Sequence, residues 1–288
     1  MKQFKLIVSI LAIFILTSCE DVVQIKLDEG TPLITVDAFI NDMRSTQTIR
    51  LSYTNNYFSQ KPNNPLNGAS VVVKDITSGK TFNFTDNSNG NYTLNLTPAD
   101  TLGKLGHEYE LMINHQGNAY TAKSTMFRTT KVDSLVLEFR ESTTFNDKEG
   151  YDISFIGKDP EGEVPDFYWV KSYRNSVFYN QGININVAWD GANGGSGGDG
   201  LIFTPPIARG ILPRGDRLNK FDMFRVEIHS ISQQAFDFLI QVQTQTTNSG
   251  LFATTPENVK TNITTNSTTK VVGWFNVAAV SSKQIIVK

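Results

Sequence analysis

The chain of 288 residues has a single cysteine. No disulfide can form within it, whatever the compartment, and a cysteine-rich metal cluster is excluded. Histidine is nearly as scarce. His107, His115 and His229 are the only three, with no HExxH spacing among them, so the sequence points to surface histidines and no zinc site. Charged residues make up 19% of the chain and the formal net charge is −2. Without a basic stripe there is nothing to neutralise a phosphate backbone, which excludes a nucleic-acid-binding role. No Gly-x-Ser-x-Gly segment stands in the strand–turn–helix context that holds a hydrolase nucleophile. Long apolar runs are also missing. The longest, Leu6 to Leu16 (LIVSILAIFIL), falls short of the roughly 20 residues a membrane-spanning helix needs.

That short run has a different meaning in context. Lys2 and Lys5 precede it, and Leu16-Thr17-Ser18-Cys19 follows. A positive start, an apolar stretch and small residues describe an export signal, which is set aside from fold reasoning. The last four residues resemble the lipobox of bacterial lipoproteins. That resemblance implies a signal peptide over residues 1–18 and diacylglycerol, with a further acyl chain such as palmitate, on Cys19. Two or three acyl chains are enough for stable anchoring. Residues 19–31 would form the lipidated tether.

Beyond the tether the pattern is mostly β. Residues 33–40 (LITVDAFI) and 48–53 (TIRLSY) read as strands, and the Asn- and Pro-rich stretch 55–67 as a loop. Phe82 and Phe84 share one strand face. Tyr92, Leu94 and Leu96 share another, after the turn Asp86-Asn87-Ser88-Asn89-Gly90. A period of two broken by Asn/Gly turns is the hairpin signature. About seven such strands fall before residue 128, as an antiparallel sandwich requires. The Asp86–Gly90 segment has alternating oxygens like a calcium loop, but Gly90 stands where a ligand is wanted and no Glu follows at the right distance; it reads as a turn. Asp159, Glu161 and Glu163 read the same way.

Residues 127–132 read as a join. Strands resume at Leu135, Leu137 and Phe139, and again around Trp169. The stretch 191–200 (GANGGSGGDG) is too glycine-rich for a core element. One helix is expected near 232–246. Ser230 with Gln233 suggests a capping box, and Ala235, Phe238, Leu239 and Val242 fall on one helical face. The expected architecture is therefore two antiparallel β-sandwich modules of Ig-like or transthyretin-like type. The N-terminal one would span 32–128, and a C-terminal β-rich domain carrying one short helix would span 129–288.

Residues 67–97 resemble the carboxypeptidase-regulatory-like or transthyretin-like module through Gly68, Ala69, Val71, Gly90 and Tyr92. The chain as a whole is similar to a Bacteroidota lipoprotein family, domain of unknown function family 4249. That resemblance runs through Val132-Asp133-Ser134-Leu135, Asp159-Pro160, Tyr168-Trp169, Ser232 to Phe238 and a tail ending in Gly273-Trp274-Phe275. It implies an outer-membrane lipoprotein, displayed at the cell surface or on the periplasmic face, that is a non-enzymatic accessory of a TonB-dependent receptor in ligand uptake. It brings no catalytic residue and no cofactor. An adhesive or structural surface protein is the alternative.

Tyr57 and Phe58 in their polar loop, and Trp189, are the candidate ligand contacts, while Trp169 and Trp274 lie in apolar runs and read as core. Asp100-Thr101-Leu102 and Asp133-Ser134-Leu135 resemble the Bacteroidota O-glycosylation acceptor, making Thr101 and Ser134 candidate modification sites. The N-terminus gives the first prediction. Intact-mass analysis of the chain from its native membranes should find cleavage before Cys19 and a lipid on it, and Cys19→Ser should move the protein out of the membrane fraction. An uncleaved, unlipidated chain would refute the anchor.

Overall fold

The computed structural model describes residues 30–288 apart from 57–58, 60, 97–99, 101, 145–147, 162–164, 190–209, 249–254, 256 and 269. Seven strands come first: β1 (Ile34–Asn41), β2 (Gln47–Tyr53), β3 (Ser70–Asp75), β4 (Thr81–Asp86), β5 (Asn91–Leu94), β6 (Glu108–His115) and β7 (Asn118–Thr125). Their alternation sends every second side chain inward. Val36, Ile49, Leu51, Val73, Tyr92, Tyr109 and Leu111 are almost wholly buried in one core. Tyr92 carries a polar tip into that core and satisfies it. Its hydroxyl donates to the Leu66 carbonyl and accepts from Ala69 N, each at 3.0 Å. Asp86 closes the turn before it by accepting from Gly68 N and Ser88 N, so its carboxylate serves the hairpin.

The end of the chain returns to this sheet. Strands β14 (Thr264–Thr265) and β15 (Val271–Ala278) complete nine strands in the order β14-β7-β6-β3-β4-β5-β2-β1-β15. β15 lies parallel to β1, with Val36 opposite Gly273. The sheet's two ends then meet. Val277 N donates to Ser124 Oγ at 3.0 Å. The Asn262 side chain donates to the Phe275 carbonyl at 2.8 Å and accepts from Phe275 N at 3.0 Å. A side-chain amide thus takes the place of a missing strand partner. The 128/129 boundary expected from sequence is crossed here, because Thr264–Thr265 and Val271–Ala278 pair with strands of the N-terminal sheet.

The remaining strands build a second layer. β8 (Lys131–Arg140) and β9 (Gly150–Lys158) form a two-stranded ribbon. β10 (Phe167–Arg174), β11 (Val177–Phe178), β12 (Asn186–Trp189), β13 (Met223–Ile231) and β16 (Val280–Ile286) form a five-stranded sheet. Phe155 and Ile153 of the ribbon pack on Tyr168, Val170, Phe224, Val226 and Ile228 of the sheet. The fold is mostly β, of the sandwich class. Pro32–Lys288 forms one compact unit.

Helix α1 (Gln233–Thr247) follows β13 directly. Its N-cap is Ser232, whose Oγ accepts from Ala235 N at 3.1 Å. Ser230 does not cap it. That side chain is fully buried in β13 and accepts from Ala279 N, because the strand continues through Ile231. Ala235, Phe238 and Leu239 are buried as their shared face predicts, packed on Trp274 and Ile231.

Gly273 controls the β1–β15 pairing. Its φ is +112°, and a Cβ there would stand 1.9 Å from the Val36 carbonyl oxygen. That contact is with backbone in a paired strand and cannot yield. Gly273→Ala is expected to lower stability by at least about 3 kcal/mol, measured by urea unfolding. A loss under about 1 kcal/mol would show that β15 can shift on β1.

Candidate functional site

Alternation in β1 sends Thr35, Asp37 and Phe39 away from the N-terminal core, toward the second sheet. That sheet answers with Trp169 from β10 and Phe178 from β11, and α1 closes the floor with Phe238, Leu239 and Val242. The cleft between them holds about 440 Å³, within the size range of small-molecule sites. Its rings interlock. Phe39 meets Trp169 edge-on at 4.9 Å, and Phe238 stacks on Trp274 at 5.0 Å. Arg50, Asn180, Gln181 and Asn184 add polar groups to the wall. Thr35 Oγ1 is buried there with no hydrogen-bond partner. Such a group carries a desolvation cost that a ligand's donor or acceptor would relieve. A larger cavity of about 600 Å³ lies on the other side of α1, beside Asp237, Gln241 and Lys260; it shares Phe238 and Trp274 but lacks the facing sheet and its rings.

Behind the cleft sits a polar cluster on the same face of β10 and β13. The Lys171 ammonium lies 4.0 Å from the centre of the Trp169 ring and 5.9 Å from those of Phe39 and Phe178, a cation held among three rings. Burial pushes its pKa down to about 8, against the pull of Asp37 and Glu227. Glu227 Oε2 is 3.0 Å from His229 Nε2 and accepts from the Tyr173 hydroxyl at 3.0 Å, while Oε1 pairs with Arg225 Nε at 3.1 Å. Burial works against this carboxylate, but hydrogen bonds from His229 and Tyr173 and the charge of Arg225 outweigh it and hold its pKa below the usual value. Burial, and then the charge of Lys171, push His229 down to about 4. The cluster therefore holds a neutral imidazole, an ionised carboxylate and two cations.

Of the residues expected from sequence, Trp189 and Ser134 are described, and neither lines the cleft. Trp189 is 41% exposed and stacks on Phe167 at 6.3 Å, outside the cleft. Ser134 is half-buried in β8, where the register with β9 shifts at a bulge between Val132 and Ser134. Cys19, Tyr57, Phe58 and Thr101 lie outside the described residues, as does the stretch 191–200. The histidines are not uniformly on the surface. His229 is only 3% exposed, because β13 is covered on both faces. His107 pairs with Asp75 at 2.9 Å, and His115 lies 3.3 Å from the Tyr53 hydroxyl. Trp274 is buried, as expected, and its edge lines the cleft together with Trp169. Only the odd-numbered register of residues 35–39 could have pointed to the cleft, and a half-exposed strand face produces the same pattern. Among the described residues, no group of three or more His, Cys, Asp or Glu side chains is placed to hold a metal ion, and no helix is long and apolar enough to cross a membrane.

His229 gives the third prediction. Its pKa falls from the usual value near 6.5 to about 4 on folding. Between those values the unfolded chain takes up a proton that the fold refuses. Stability is therefore complete above about pH 6.5 and declines as pH falls toward 4, by up to about 3 kcal/mol. His229→Gln should flatten the decline between pH 6.5 and 4.5 in urea unfolding. An unchanged slope would mean that the imidazole titrates normally in the fold.

No curated protein sequence matches the chain. Among solved structures, it is similar to the FN1–FN3 domains of chicken CNTN1, at 9% identity and a TM-score of 0.22, covering 72% of this chain. The match spans 65% of that chain, less than two thirds of its length. A likeness this loose carries no functional argument. The family comparison is more direct: the model of DUF4249, a domain of unknown function, matches residues 20–284, and the chain belongs to that family.

Proposed function

We propose that this protein is a non-enzymatic binding component, held at the outer membrane by lipid on Cys19 and acting beside a TonB-dependent receptor, with the cleft between β1, β10 and α1 as its ligand seat. The cleft is the observation that carries the reading. Ring-lined walls with a few polar groups suit a small molecule that is apolar over most of its surface. Arg50, Asn180, Gln181 and Asn184 supply the polar groups that would orient it. The Glu227 carboxylate is held by Tyr173, His229 and Arg225 within the fold, so it serves as a rigid support. The lipobox-like N-terminus and the family resemblance support the anchor and the receptor.

Two measurements test this. A gentle detergent pull-down of the tagged protein from its own membranes should recover a stoichiometric TonB-dependent receptor. Val242→Trp, which fills the cleft from a half-buried position on α1, should leave unfolding within about 1 kcal/mol of wild type and the receptor association intact, yet abolish uptake of that receptor's ligand. Full uptake by the filled variant would remove the cleft from the mechanism. A pull-down without receptor, in a preparation where other receptor complexes survive, would favour the adhesive or structural role.

A further inference from the structure

One end of the second sheet carries hydrophobic side chains that the fold does not use. Phe221 is 82% exposed, Val177 70% and Ile286 55%. All three stand at that end, Val177 on one edge strand and Ile286 on the other, with the Phe221 turn between them. Phe221 N donates to the Val287 carbonyl at 2.7 Å, next to Ile286. Asn175, two residues before Val177, donates from its side chain to Asp222 at 2.9 Å. Phe221 also has a φ of +69°, a left-handed conformation that an aromatic residue adopts at a cost.

The turn is nevertheless built firmly. Val287 N donates to the Asp222 carbonyl at 2.9 Å. The Asp222 carboxylate accepts from Asn219 N at 2.7 Å and pairs with Arg174. The ring is thus presented to solvent on a braced turn. Exposed Lys220 and Lys288 flank the three apolar side chains. An aromatic tip with aliphatic neighbours and adjacent lysines matches a bilayer interface. There the ring enters the acyl boundary and the ammonium groups meet anionic headgroups.

The entry of the chain lies at this same end. Phe39, late in β1, touches Trp169, whereas Thr35, at its start, shares the cleft wall with Phe178 and Tyr179. Phe178 and Val177 pair with Tyr173 and Arg174 beside the Asn175 turn. The strand therefore begins on the side of the Val177 and Phe221 turns. Residues 19–33 lead into it and span at most about 50 Å when fully extended, so a lipid on Cys19 would keep this end within reach of the membrane.

We infer that the Phe221–Val177–Ile286 end is a membrane-docking face that inserts the Phe221 ring into an anionic bilayer and orients the domain on its tether. The inference rests on the anchor reading for its approach to the membrane, and the test separates the two. The lipidated chain, purified from its native membranes, would be reconstituted in vesicles of phosphatidylethanolamine and phosphatidylglycerol. In that chain Cys19 is alkylated, so Phe221→Cys supplies the one free thiol for a nitroxide label. Arg44→Cys, in the exposed turn at the far end of β1, is the reference site.

At position 221 the label should collide more with dissolved oxygen than with a water-soluble nickel chelate, and at position 44 the reverse. An aqueous reading at 221 in a vesicle-bound protein would overturn the docking face while leaving the anchor intact. If mass analysis finds no lipid on Cys19, the anchor reading fails and the unlipidated full chain decides the matter in co-sedimentation. Partitioning that Phe221→Ser weakens about tenfold and that salt also weakens would support the face. No partitioning, or partitioning indifferent to Phe221, would overturn it.

Discussion

The structure depends on the parallel pairing of β15 with β1. Eight consecutive residue pairs join Ile34–Asn41 to Val271–Ala278, and they tie the first described strand to nearly the last. Parallel pairing needs a crossover connection, and here the chain passes through β2–β7, the second-layer strands β8–β13, α1 and β14 before it returns as β15. Gly273 is the point of closest approach, where even one methyl group would collide with the Val36 carbonyl. Because β15 sits at the edge of the nine-stranded sheet and Trp274 reaches from it under α1, one strand finishes the first core and supports the floor of the cleft.

This arrangement explains why the cleft has the composition it does. A strand face turned away from its own core is normally solvated and polar. In β1 that face carries Thr35, Asp37 and Phe39, a mixture suited to a surface only partly covered by the second sheet. The opposing face of β10 and β13 places Lys171, Glu227 and His229 where water is largely excluded. Buried charges are tolerated only when they are paired. Here each has partners: the rings around Lys171, with Asp37 nearby, and the hydrogen bonds and the Arg225 charge around Glu227. Such a network favours one relative placement of the two sheets, since a shift would strand a carboxylate or an ammonium group.

Much of the fold was legible in the sequence because it is local. Strand alternation in Thr48–Tyr53 and Tyr109–Ile113, the Asp86–Gly90 turn and the Ala235–Phe238–Leu239–Val242 face are each recorded within a few residues. The misread cap shows where local reading stops. Ser230 and Ser232 are both plausible caps by residue type, and only the continuation of β13 into the crevice between the sheets assigns the role to Ser232. His229 illustrates the same limit. Its immediate neighbours are those of a strand end, and its burial comes from β10 and β16, which pair with it, and from β15 beside them, all from distant parts of the chain.

By itself, the sequence determined the class of the protein and its local elements: a mostly β chain, one amphipathic helix, a lone cysteine, and family features spread along its length. These rest on periodicity and composition, which need no knowledge of what lies across the molecule. Only the tertiary structure decided that the C-terminal strand completes the N-terminal sheet, that α1 is a wedge between the two sheets, and that Phe39, Trp169 and Trp274 surround one cavity. Residues 39, 169 and 274 are brought together by long-range strand pairing, and that pairing depends on cross-sheet fit, as at Gly273, which no local pattern records.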